Sequence, residues 1–119
     1  MARATELPIY RVSYELLKKV THLTQSYPRG YRQGLARDIC MEAQGVVALI
    51  FRANCTIDKA PIIESLQERL ATLQMFLRLS TDLHLMSPGQ FGATVELVSA
   101  ASKQAAGWLK YARKASDAR

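Results

Sequence analysis

The sequence predicts an all-α fold, an antiparallel up-down-up-down four-helix bundle. Three observations lead there. Four segments repeat apolar residues every three or four positions. The four Pro mark the breaks and starts of those segments, Pro28 with Gly30 in the first break and Pro8, Pro61 and Pro88 in first turns. No segment alternates apolar and polar residues with period two, as a half-buried strand would. With 119 residues the chain has room for one core, so a single domain over 1–119 is expected, with helices at about 8–26, 32–56, 60–84 and 88–114.

The first helix starts at Pro8, a residue suited to a first turn, and carries the stripe Ile9, Val12, Leu16, Val20 and Leu23. Tyr27-Pro28-Arg29-Gly30 breaks it. The second helix aligns Leu35, Ile39, Val46, Ile50 and Ala53. Asp58 is placed to cap the third helix, Pro61 sits in its first turn, and Ile63, Leu66, Leu70, Leu73 and Leu77 form its stripe. Its end is expected near Leu83 or His84. Ser87-Pro88-Gly89-Gln90 is a start signal, with Ser at the N-cap, Pro at the first position and Gln at the third for a capping box. The fourth helix then follows Phe91, Val95, Val98, Ala105, Leu109 and Ala112 to about Lys114.

Apolar residues make up 49% of the chain and charged ones 22%, which places it with globular proteins rather than disordered ones. No apolar run approaches the ~18 residues of a membrane span, and the first residues lack the apolar stretch of a secretory signal. A cytoplasmic protein is therefore expected. Cys40 and Cys55 fall in one predicted helix, ~22 Å apart at 1.5 Å per residue, too far for a disulfide. They are expected as two small buried hydrophobes.

Catalytic patterns are lacking. Lys19 and Thr81 stand three residues before His22 and His84, where a di-metal carboxylate bundle would carry Glu. Most acids, such as Glu15, Glu64, Glu68 and Glu96, fall on polar faces. No Cys-x-x-Cys, phosphate loop or nucleophile elbow occurs. A non-enzymatic protein without metal or cofactor is expected.

Binding features are more prominent. Tyr10, Tyr14 and Leu17 form a second stripe on the first helix, about a quarter turn from the core stripe. The second helix contains Gly45-Val46-Val47-Ala48-Leu49-Ile50-Phe51, apolar nearly all round, and the fourth places Leu97, Trp108 and Tyr111 off its core line. Helices this apolar are buried on more than one side, so Tyr10, Tyr14, Leu17, Val47, Phe51 and Trp108 are candidate contacts between copies. Sixteen Lys and Arg against ten Asp and Glu give a net charge of +6, suited to a polyanion or to solubility. Lys103, Lys110 and Lys114, spaced by seven and four, share one helical face with no acid intercalated. Arg29, Arg32 and Arg37 cluster at the start of the second helix. Arg78 interrupts an apolar run and can pair with Asp82 four residues on.

The order Leu7-Pro8-Ile9-Tyr10, Tyr27-Pro28-Arg29, Leu77-Arg78-Leu79, Ser87-Pro88 and Gly107-Trp108-Leu109 resembles the accessory variability determinant (Avd) proteins of diversity-generating retroelements. The likeness spans about residues 7 to 114. It implies a homopentameric barrel of four-helix protomers. It also implies a basic, non-catalytic partner of the retroelement reverse transcriptase that binds nucleic acid, the template RNA and its cDNA. Little sequence preference is expected of that binding, because lysine meets phosphate as a point charge and reads no base edge. On the same ground Arg78 is a basic contact residue and Trp108 a packing residue. The related ribosomal-intervening-sequence proteins share the bundle, but their Asn-Ile-Ala-Glu-Gly stretch is missing from the second helix here. An RNA-binding bundle of that type, without a polymerase partner, is the alternative, and a purely structural oligomer is a third.

Overall fold

The four stripes turn inward together. A computed structural model describes residues 2–118 and contains α1 (Pro8–Thr24), α2 (Arg37–Asn54), α3 (Ala60–Asp82) and α4 (Pro88–Asp117). Met1 and Arg119, the ends of the expected 1–119 domain, lie outside the described residues. A 3-10 turn, Ala4–Glu6, precedes α1. One α-helical turn, Arg29–Tyr31, and a π-helical stretch, Arg32–Ala36, lead into α2. No strand occurs among the described residues. Each helix packs on the next in the chain, and α4 packs back on α1. The overall extents, 51 × 21 × 20 Å, match a rod two helices thick at ~10 Å per helix.

Ile63, Leu66, Leu70, Leu73 and Leu77 of α3 are each at most 1% exposed. They meet α2 and α4, whose inward faces are rich in small residues: Ala43 and Ala53 on one, Ala101, Ala105 and Ala112 on the other. Ile9, Leu16 and Val20 complete the core from α1. Val12, Leu23, Leu35, Phe91 and Val95, expected inside, are only half-buried. Ser13, Thr24 and Thr94 take inner positions instead. Two of these hydroxyls are satisfied within their own helices: Thr24 donates to the Val20 carbonyl and Thr94 to the Gln90 carbonyl, each at 2.7 Å.

The connections differ from expectation in two places. Asp58 is exposed and does not cap α3; Lys59 holds the N-cap position with no side-chain cap. Its ammonium turns back to the end of α2, donating to the carbonyls of Ala53 (2.9 Å) and Thr56 (2.6 Å). The unpaired carbonyls at a helix C-terminus attract a cation, so Lys59 closes α2 rather than opening α3. The Tyr27-Pro28-Arg29-Gly30 break follows the end of α1, and Tyr27 within it is the last core residue of the first segment, 1% exposed. Cys55, expected buried, is exposed because it caps the end of α2 just beyond the core residue Ala53; Cys40 is partly buried, and both thiols are free.

The start of α4 is as expected. Ser87 Oγ accepts from the Gln90 amide (3.1 Å) while Gln90 Oε1 accepts from the Ser87 amide (3.0 Å). Just before it, His84 adopts φ 62°. Its amide donates to Thr81 O, and the Leu85 amide donates to Ser80 O at 2.8 Å. This is a Schellman closure with His84 at the position glycine usually takes.

Two substitutions test this core. Leu73→Ala, at the centre of the α3 ladder, should cost ~2–5 kcal/mol through lost burial and a residual cavity; an unchanged denaturation midpoint would contradict the packing. The Tyr27 hydroxyl is buried without a hydrogen-bond partner. Burial holds the phenol above its usual range; the nearby Ser80 hydroxyl works against that shift and Cys40 adds to it. An acid with a raised folded pKa keeps its proton where the unfolded chain has lost it. The stability available at neutral pH is thus fully present below pH ~10 and declines above it. Tyr27→Phe should leave the neutral-pH midpoint unchanged or raised, because no hydrogen bond is removed. It should also flatten the alkaline decline, as pH-dependent thermal melts would show.

Candidate nucleic-acid interface and apolar faces

The basic residues divide among separate places. Lys103, Lys110 and Lys114 fall along α4, and all three are exposed. Lys110 and Lys114 line a groove between α3 and α4 with Gln67, Ala106, Leu109, Arg113 and Asp117. Lys103 lies further along the helix and is not among the lining residues. Arg113, which the spacing of the lysines does not single out, stands three residues after Lys110 and so on the same side of the helix. No acid of α4 stands between Lys103 and Lys114, but acids flank the groove: α4 runs past Lys114 and brings Asp117 into it, while Glu64 of α3 lies 3.7 Å from Arg113.

Arg32 and Arg37 share a second cleft, where the π-helical stretch faces the end of α1, with Thr21, Thr24, Gln25, Ala36 and Cys40. Arg32 Nε donates to the Tyr27 carbonyl at 3.2 Å, which fixes the guanidinium at the cleft edge. Thr24 Oγ1 and Cys40 Sγ are 3.3 Å apart at its inner side. Arg29 is exposed but does not line this cleft. Arg78 is also exposed, and pairs with Asp82 at 3.4 Å as its spacing predicts. Both partners are more than half exposed, so water competes with this contact and the guanidinium is available to a partner.

The apolar candidates gather more closely. Tyr10 and Tyr14, one turn apart on α1, stack with ring centroids 5.8 Å apart and planes 13° apart. Phe51 of α2 meets Tyr10 edge-on at 5.6 Å and 84°. Leu17 and Val47 are half-buried, while Tyr14 and Phe51 each remain 43% exposed. Lys18 Nζ stands 5.4 Å over the Tyr14 ring and 2.8 Å from Glu15. The hydrogen bond and charge of Glu15 hold the Lys18 ammonium above its usual range. Trp108 is apart from this ridge: it lines a small groove with Leu7, Pro8, Ile9 and Gln104 and packs the start of α1 onto α4.

One further apolar face is not among those expected from the sequence. Met75 and Leu79 on α3 and Leu83 at its C-cap are 58%, 43% and 42% exposed. Their spacing of four puts them on one side of the helix, turned away from the buried Leu70, Leu73 and Leu77. Among the described residues, no three His, Cys, Asp or Glu side chains are grouped as they would be around a metal ion. No described helix is long and apolar enough to cross a membrane. No protein-family model matches the chain, and no curated protein matches its sequence.

Proposed function

We propose that this chain is a cytoplasmic, non-catalytic accessory protein of a diversity-generating retroelement, of the accessory variability determinant type. It assembles with copies of itself, five in a barrel, and binds both the reverse transcriptase and the nucleic acid that the enzyme copies. The observation that carries the nucleic-acid part is the α3–α4 groove, where Lys110, Arg113 and Lys114 converge around a partly apolar floor. The antiparallel order of the bundle is supported by its cross-helix contacts. Asn54, at the end of α2, reaches the Ala2 carbonyl just before α1, while Thr24 at the end of α1 touches Cys40 near the start of α2. Assembly is supported by the exposed aromatic ridge and by the α3 stripe, which one four-helix core leaves uncovered. Lys and Arg meeting phosphates give binding with little base preference, and each copy in an assembly adds six positive charges to the same field.

Fluorescence anisotropy with single-stranded RNA and DNA, titrated against salt, tests the groove. Lys110→Gln, Arg113→Gln and Lys114→Gln together should lower affinity and reduce the slope of log K against log salt by ~0.7 for each phosphate no longer neutralised. The helical content should not change, since none of the three side chains is buried. Equal affinity at every salt concentration would show that the groove is only solvated, leaving the Arg32 and Arg37 cleft as the phosphate site.

The polymerase contact has its own readout. Arg78→Ala should weaken co-purification with a reverse transcriptase encoded beside this gene while leaving nucleic-acid affinity in place. Undiminished co-purification would remove Arg78 from that interface.

A further inference from the structure

We infer that the cleft between the end of α1 and the π-helical stretch is a site for a terminal phosphate, a phosphate monoester carried by a nucleotide. The inference deepens the nucleic-acid reading above. The α3–α4 groove meets the diesters along a strand, and this cleft, which shares no lining residue with that groove, takes the strand's end. Backbone geometry builds the site. Arg32 and Arg37 are five residues apart, a spacing that on an α-helix sets two side chains ~140° apart, on different sides. Hydrogen bonds in a π-helix link residues five apart, so the stretch Arg32–Ala36 carries Arg37 round to the side of Arg32. Both guanidiniums then line one cleft.

Their charges are unspent. Arg69, Arg78 and Arg113 each stand beside an acid, whereas among the described residues neither Arg32 nor Arg37 is paired with one. Asp38 follows Arg37 in the chain but does not line the cleft. Arg32 is held by Nε, which donates to the Tyr27 carbonyl, so its two terminal amino groups stay available. The other walls offer no competing charge. Thr21 Oγ1 donates to the Leu17 carbonyl and Thr24 Oγ1 to the Val20 carbonyl, each at 2.7 Å. With that proton spent, the Cys40 thiol donates its own to the Thr24 oxygen. The donors left for a ligand are the two guanidiniums and the Gln25 carboxamide. Two guanidinium forks exceed what the two free oxygens of a diester can accept, while a monoester offers three oxygens and a second charge. The cleft measures about 270 Å³. Pockets that bury a drug-sized ligand hold ~300–1,000 Å³, so this one suits an end group rather than a whole cofactor.

The probes are one single-stranded RNA made with a 5′-phosphate, with a 3′-phosphate or with neither, each carrying an internal fluorophore. Anisotropy should show at least one phosphorylated strand binding about tenfold tighter than the bare one, the effect of one added charge-assisted hydrogen bond. Arg32→Gln and Arg37→Gln should each remove that preference. Circular dichroism checks both folds, and Arg37 is exposed, so its replacement spares the core. The groove variant, with Lys110, Arg113 and Lys114 all changed to Gln, should bind every strand more weakly and keep the preference. Cys40 reports occupancy: the preferred strand should slow its alkylation and leave that of the exposed Cys55 unchanged. Equal affinity with and without a terminal phosphate would overturn the inference while the nucleic-acid reading stands. A preference that survives both arginine changes, or an unslowed Cys40, would do the same. If no strand binds, the nucleic-acid reading fails and 5′-AMP decides the cleft. Binding that adenosine lacks and Arg37→Gln abolishes keeps the cleft as a site for a free nucleotide; no binding of 5′-AMP overturns it.

Discussion

Leu66, Leu70, Leu73 and Leu77 lie between two helices whose inward faces intersperse alanine with larger residues, and this pairing of large side chains with small ones sets how the bundle packs. Ala43 and Ala53 stand among Ile39, Val46 and Ile50 on α2, and Ala101, Ala105 and Ala112 among Val98 and Leu109 on α4. α3 has no small residue at the centre of its ladder, so α2 and α4 must supply the room. The other features follow from that division. α1 completes the core from the corner opposite α3 with Ile9, Leu16 and Val20. The ends are closed by polar devices: Lys59 over the last carbonyls of α2, the Schellman turn at His84 and the capping box of Ser87 and Gln90. A core made this way covers one side of each helix. Apolar residues on the other sides stay in water unless another molecule covers them.

The repeating stripes made the helices legible, because large apolar residues at helical spacing have one physical explanation in a chain this size. All five expected core residues of α3 are buried. Polar residues misled where backbone carbonyls could satisfy them: Thr24 and Thr94 look solvent-facing in a hydropathy pattern, yet each hydroxyl is bonded within its own helix. Tyr27 was hidden by the proline after it, a turn signal that says where the helix stops but not where the preceding side chain points. Lys59 could not be read because its partners are carbonyls, and those are available only once α2 has ended at Asn54.

The candidate site was legible in parts. Lys110 and Lys114 come together as their spacing requires, but the groove is completed by Gln67 from α3 and modified by Asp117 and Glu64. Such neighbours across helices have no signature in a single helix's periodicity. The contact of Tyr10 with Phe51 joins two helices and is likewise a tertiary fact, whereas Tyr10 stacking on Tyr14 follows from a spacing of four. Met75, Leu79 and Leu83 carried a readable signal, a second apolar line turned away from the core one, which the stronger leucine ladder masked. The binding chemistry therefore lies on the outside of the bundle. Cations are gathered in the α3–α4 groove and by the π-helical stretch, and apolar residues on the α1–α2 ridge and the α3 stripe.

That arrangement makes the native mass of the unmodified protein the most direct measurement. If the uncovered apolar faces exist to meet other copies, light scattering at micromolar concentration will return a discrete multiple of the 13.3 kDa chain. The same mass should persist at high salt, because apolar burial does not weaken as charges are screened. A mass of 13.3 kDa across the same concentrations and salts would contradict the account and leave those faces as ordinary solvent-exposed surface.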